Sequence, residues 1–194
     1  MLKFYIIFTG ILLILSISSF AQKSEVTFGF GVPTKAKKTG FDNRNYFELN
    51  YQRIDRKMII LGAGISSMKT NIKQPESVYS YDKDQLFPYA LAAYRIKLVS
   101  IIDIVPNIKL GCSINKNTWK NFGNQQSTNI GFALGLGLNL SLNINRFLKI
   151  FSGYESIASF YDVTLPDTGK RYNVFVDEHP LRDGILKFGV GMRF

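Results

Sequence analysis

The chain of 194 residues has one cysteine, Cys112, so no disulfide can form within it. It has one histidine, His179, which leaves little material for a histidine-rich metal centre or a His-dependent nucleophile. Beyond residue 21 no apolar run approaches the roughly 18–20 residues that a membrane-spanning helix needs. Mean hydropathy is close to zero, at +0.03. These absences exclude a disulfide-stapled module and a helical membrane protein. Whatever holds the fold together has to come from elsewhere.

The N-terminus shows where the chain goes. Lys3 supplies a positive start, and Tyr5 to Ile17 is apolar except for Thr9, Gly10 and Ser16. Ser19 and Ala21 then put small residues at the two positions a signal peptidase reads. Residues 1–21 therefore read as a secretory signal peptide cut after Ala21. A retained anchor fits less well, because the run is short and ends in a cleavage-like site. No cysteine follows the cut, so no lipoprotein anchor is expected. The mature segment 22–194 suits one domain. Only Lys3 is lost from the charge count, so a strongly basic formal charge remains from the original +10.

The mature segment alternates. Leu186, Phe188, Val190, Met192 and Phe194 fall on one side of a strand, with Lys187, Gly189, Gly191 and Arg193 on the other. A period of two means a strand with one apolar face. Val26, Phe28, Phe30 and Val32 repeat the pattern against Thr27, Gly29 and Gly31. Phe47, Leu49 and Tyr51 oppose Glu48, Asn50 and Gln52. Ile59, Leu61, Ala63 and Ile65 oppose Gly62, Gly64 and Ser66. Ile108, Leu110, Cys112 and Ile114 oppose Asn107, Lys109, Gly111 and Ser113. The longest series runs from Ile130 to Asn143, where a strict period of two overrules the helix preference of leucine. Two stretches leave the facing open. In Pro88–Leu98 the outward set is either Tyr89, Leu91 and Ala93 or Tyr94, Ile96 and Leu98. In Phe147–Phe160 the outward choice is Leu148, Ile150 and Tyr154. Together these make eight strands.

The connections alternate too. Long ones are expected at Pro33–Asn45, Met68–Leu86, Lys116–Ser127 and Tyr161–Asp183. Short ones are expected near Asp55–Lys57, Val99–Ile101 and Asn143–Arg146. Transmembrane barrels have this asymmetry of long loops and short turns. Volume then decides which face is inside. The interior of an eight-stranded barrel is just wide enough to be filled by side chains. About four large apolar residues per strand would crowd it, whereas the glycine, alanine, serine and asparagine face fits. The expected fold is all-β: a closed, antiparallel, eight-stranded transmembrane β-barrel with its apolar face turned to lipid and every strand edge paired.

Lys187, Gly189, Met192 and Phe194 also match the C-terminal assembly signal of bacterial outer-membrane proteins: polar, any, Gly, any, any, apolar, any, terminal aromatic. With the export signal and the strand rhythm, the chain from Gln22 to Phe194 resembles the small outer-membrane β-barrel family of Gram-negative bacteria, the OmpA/OmpX-like or porin-family domains. Unlike full-length OmpA, no peptidoglycan-binding domain is expected after the barrel. The resemblance implies the cell outer membrane as location. It implies outer-membrane lipid, lipopolysaccharide and the barrel-assembly machinery as partners, and an extracellular ligand reached through long loops. The family includes adhesins, structural proteins, narrow channels, secretion-system components and a few lipid-modifying enzymes, so it does not select one activity.

The inward face carries Glu48, Lys109, Lys149, Glu155, Lys187 and Arg193. Charges in a narrow lumen must be paired or solvated, so these residues are expected to form a network of ion pairs that plugs the barrel. The alternative is a small gated pore lined by the same groups. Loop residues Lys35, Lys37, Lys38, Arg44, Lys116 and Lys120 could meet lipopolysaccharide phosphates or be solvated charge. Nucleic acid is not expected as a partner, because the basic charge is spread over loops of an exported chain. Tyr46, Tyr51, Tyr154, Phe160, Phe188 and Phe194 are candidates for interfacial aromatic girdles, or are ordinary strand formers. The Gly-x-Gly pairs at Gly29, Gly62, Gly135 and Gly189 lack a third glycine and a following helix, so they read as space for the interior. No serine lies within several residues of His179, so no enzyme activity is expected, and neither a metal nor another cofactor. The expected role is structural or surface-interacting with a plugged polar lumen, the alternatives being a narrow channel or a component of a secretion or assembly system.

Overall fold

The structure is a computed structural model that describes residues 23–34, 41–55, 58–73, 80–164, 169, 171–173 and 183–194. The segment read as a signal peptide lies outside the described residues.

Eight long strands make the wall: β1 (Lys23–Pro33), β2 (Phe41–Ile54), β3 (Ile59–Lys73), β4 (Ser80–Tyr94), β5 (Ile102–Trp119), β6 (Gln125–Asn143), β7 (Leu148–Phe160) and β8 (Asp183–Arg193). Each pairs antiparallel with its neighbours in sequence. The ladder between β1 and β8, from Glu25↔Arg193 to Pro33↔Ile185, closes the sheet. Closure leaves every strand paired on both sides at membrane height, as hydrocarbon requires. The two-residue strand Ile96–Lys97 pairs with the start of β5. A small ladder of Asp162–Thr164 with Arg171–Asn173 rises beyond β7.

Alternation sets the two faces. Phe28, Phe30, Leu49, Leu61, Leu110, Leu136, Leu138, Phe188 and Val190 are all exposed on the outside, while Glu48, Lys109, Glu155 and Lys187 are buried within. An apolar belt encircling a closed sheet is untenable in water and normal in lipid. The facing of β4 is now settled: Tyr94 is outside with Ala90 and Ala92, and Tyr89 and Leu91 are buried inside. In β7, Ile150 and Tyr154 are exposed.

Three sequence expectations need correcting. First, the interior is not lined by small polar residues alone. Phe87, Tyr89, Leu91, Met68, Ile157 and Ile185 form a buried apolar cluster there. The glycines of neighbouring strands free the volume that these side chains occupy. Second, Tyr46 is no girdle residue, because it is almost wholly buried in the lumen. Third, while the fourth long connection keeps its expected limits apart from the small ladder within it, the first three are shorter than expected because the strands continue above the lipid belt. There the outward row Lys69, Asp84, Lys116 and Thr128 is polar, so the sequence loses its apolar alternation while the ladder persists. The β5–β6 connection shrinks to Lys120–Asn124. A single 3₁₀ turn, Lys120–Phe122, is followed by Gly123 and Asn124 in the left-handed region, a conformation glycine and asparagine tolerate.

The wall is uneven. Gly31↔Tyr46 is the last pair between β1 and β2, yet β2 continues up to Phe41. Phe132↔Phe160 is the last pair between β6 and β7, yet β6 begins at Gln125. Among the described residues, β2 therefore runs on past its last pair with β1, and β6 past its last pair with β7, where the small Asp162–Thr164 ladder follows.

Candidate functional site

The lumen is filled in layers, each set by which inward positions share a height. At its centre are two carboxylates and two ammonium groups. Lys187 Nζ donates to Glu155 Oε2 at 2.5 Å and lies 3.3 Å from Glu48 Oε2. Lys109 Nζ donates to both Glu155 oxygens at 2.7 Å and also pairs with Glu48. All four side chains are at most 3% exposed. The quartet is formally neutral, and each charge has more than one partner, which a buried charge needs. Its rim is also hydrogen-bonded. Tyr46 Oη donates to Glu48 Oε2 at 2.5 Å, Asn50 Nδ2 donates to Glu48 Oε1 at 2.7 Å, and Tyr89 donates to Asn50. Lys109 Nζ also sits 4.6 Å from the centre of the Tyr89 ring, a favourable cation–π approach. Gly135 leaves room for this pairing: a Cβ there would lie 3.2 Å from Lys109 Cβ and 3.3 Å from Glu155 Oε1.

A second cluster lies nearer the short-turn end. Glu25 pairs with Lys149 and, at 2.8 Å, with Arg193 Nε. Gln52 Nε2 donates to its other oxygen at 2.5 Å. Arg95 lies 3.9 Å from Glu25 and 3.4 Å from Asp103. Between the two clusters is a small chamber of about 20 Å³ bounded by Asn107, Asn139 and Lys149 on one hand and Leu91, Val105 and Phe151 on the other, a volume on the scale of a single water site.

On the other side of the quartet comes the apolar layer of Met68, Phe87, Ile157 and Ile185. Above that is a polar layer in which Gln85 Nε2 donates to Ser113 Oγ at 3.0 Å and Ser159 Oγ at 2.7 Å. At the top the Tyr81 and Trp119 rings pack at a tilt of 41° with centres 4.6 Å apart.

The six lumenal charges named from sequence thus divide. Glu48, Lys109, Glu155 and Lys187 meet at the centre, while Lys149 and Arg193 converge on Glu25. Glu25, Arg95, Asp103 and Lys83 were missed, the last buried over the Tyr161 ring in a stretch read as a long connection. Glu25 was legible, since it precedes Thr27 by two and shares its parity. Asp103 lies beyond the strand limits drawn from apolar alternation, whereas Arg95 lies within Pro88–Leu98 and turns inward under the second of the two facings left open there. Gly189 lies beside Phe151, and Met192 and Phe194 are exposed at the end of β8. Phe194 exchanges backbone hydrogen bonds with Ser24, at 3.0 and 3.2 Å. Among the candidate loop cations, Lys116 is exposed and Lys120 pairs with Asp82 at 3.0 Å. Lys35, Lys37, Lys38, the Arg44 side chain and His179 lie outside the described residues. Cys112 is exposed on the outer face.

Eight next-neighbour strands, a polar filled interior and an apolar exterior can be set against solved folds. The fold is that of the small outer-membrane β-barrels. A major outer membrane protein from Thermus thermophilus matches with TM-score 0.58 at 10% identity, over 90% of this chain and 100% of that one. The N-terminal barrel domain of Pseudomonas aeruginosa OprF matches with TM-score 0.52 at 11% identity, over 88% of this chain and 97% of that one. Ail, the attachment invasion locus protein of Yersinia pestis, matches with TM-score 0.50 at 21% identity, over 90% of this chain and 100% of that one. Ail has also been crystallised with the heparin analogue sucrose octasulfate. No protein-family model matches the chain, and no curated protein matches it. The barrel thus shares its architecture with these proteins at very low sequence identity.

Proposed function

We propose that the chain is an integral outer-membrane protein whose barrel is a sealed platform, with a structural or surface-interacting role carried by its extracellular end. The observation that carries this reading is the filled lumen. The neutral quartet of Glu48, Lys109, Glu155 and Lys187, backed by the layer of Met68, Phe87, Ile157 and Ile185, packs buried side chains across the lumen, which supports a plug rather than a pore. The basic residues at the extracellular end, Lys116 and Lys120 among them, suit phosphate or sulfate groups, such as those of lipopolysaccharide or of a sulfated polysaccharide like the analogue bound by Ail. No chemistry is assigned to the barrel. An enzymatic role would have to draw on His179, so a His179→Ala variant should leave membrane-lipid composition unchanged. Lys187, Gly189, Met192 and Phe194 serve as the signal read by the barrel-assembly machinery.

The test is conductance of the purified barrel in planar bilayers. The expected result is no discrete steps. Steps that disappear or change size when Glu155 or Lys187 is neutralised would replace this reading with the narrow channel.

A further inference from the structure

The outer wall carries a groove across β6, β7 and β8 with a volume of about 530 Å³. Its origin is one small side chain. In the outward row Phe30–Phe188–Ser152–Leu140 the strands are in register, and Ser152 stands where its neighbours carry large groups. The row beneath it, Val190–Ile150–Leu142–Ile102, is wholly aliphatic and forms the lower part of the groove. The lining is almost entirely carbon, so a polar occupant would lose its water without replacement.

Below the groove, β6 and β7 are joined by the short turn Ile144–Phe147. Arg146 is exposed there, its guanidinium 4.5 Å from the centre of the Phe147 ring. Lys97, in the neighbouring connection, is exposed as well but lies across the ladder from Asp103. Leu142 precedes Arg146 by four residues, so the groove floor stands on the order of 10 Å above the cation. An apolar slot leading to a positive charge at the membrane edge matches one kind of molecule in a bilayer: a phospholipid whose headgroup phosphate has no ammonium of its own to offset its charge.

We propose that this groove is a preferential site for one anionic phospholipid of the periplasmic leaflet, with an acyl chain against Ser152 and its phosphate on Arg146. The inference rests on the outer-membrane reading, with the short turns on the periplasmic side. It goes beyond that reading by assigning a particular lipid chemistry to a particular place.

Native mass spectrometry of the barrel released from bilayers of phosphatidylglycerol and phosphatidylethanolamine tests it. The wild-type barrel should retain one phosphatidylglycerol. Ser152→Phe fills the slot and should lower that retention about tenfold. Arg146→Gln should retain lipid but lose the preference for phosphatidylglycerol. Ala92→Phe adds the same bulk to an outward position on β4, away from the groove, and should change nothing. Equal retention in Ser152→Phe and Ala92→Phe would overturn the proposal, as would a dimer of the chain that Ser152→Phe abolishes. Heat-dependent gel mobility is measured on every variant. Its absence in the wild type would count against the membrane-barrel reading itself, whereas its presence with indiscriminate lipid retention would sink only the lipid site.

Discussion

Glu155 accepts hydrogen bonds from both Lys109 and Lys187, so removing its charge leaves two buried ammonium groups to share Glu48 alone. Glu155→Gln should destabilise the barrel by about 3–5 kcal/mol, the usual consequence of breaking a buried pair from one side. Glu155→Gln combined with Lys187→Gln restores neutrality, and its cost should be well below the sum of the two single changes. Urea unfolding in lipid vesicles, followed by gel mobility, measures both; strict additivity would mean the four groups do not act as a unit. On the outer face, Leu136 lies within the apolar belt and is 53% exposed. Leu136→Arg should cost about 2–4 kcal/mol, whereas Thr128→Arg, higher on the same strand, should cost about 0–1 kcal/mol. Equal costs would put the belt at the wrong height.

At the scale of strands, parity was readable from sequence wherever one face was uniformly greasy. The Ile130–Asn143 series and the β8 series needed nothing more. β4 was ambiguous because both its faces are bulky: Phe87, Tyr89 and Leu91 look as lipophilic as Leu86 and Tyr94. Only the space left by glycines on other strands decides which set turns inward, and that is a property of the closed sheet. Strand ends were misjudged for a related reason. Above the lipid, Lys69, Asp84, Lys116 and Thr128 occupy outward positions where a greasy residue would have advertised the strand. The quartet was legible as a list of inward charges. Its separation from the Glu25 cluster was not, because that depends on the stagger between strands. One element-level consequence can be checked. Gly135→Val would press on both Lys109 and Glu155 and should cost about 1–3 kcal/mol in the same urea assay. Gly123→Ala, at the hairpin tip with nothing near its Cβ position but in the left-handed region, should cost about 1 kcal/mol of backbone strain and still leave membrane insertion unaffected.

For the whole molecule, closure depends on β8 meeting β1, and Phe194 completes that seam through its bonds to Ser24. Phe194→Ala should lower the fraction of chains that reach the heat-modifiable state in the outer membrane. Normal yields would remove the terminal aromatic from the assembly argument. The filled interior also predicts that reducing the charge of the lumen lowers stability before it opens a path, so Glu155→Gln vesicles should unfold at lower urea without gaining ion leakage.

Strands β3 to β6 run on past the apolar belt as paired sheet, so Lys69, Asp84, Lys116 and Thr128 are carried on hydrogen-bonded backbone and keep a fixed spacing. Whatever meets this flank meets a surface whose shape is already set, with little ordering entropy left to lose.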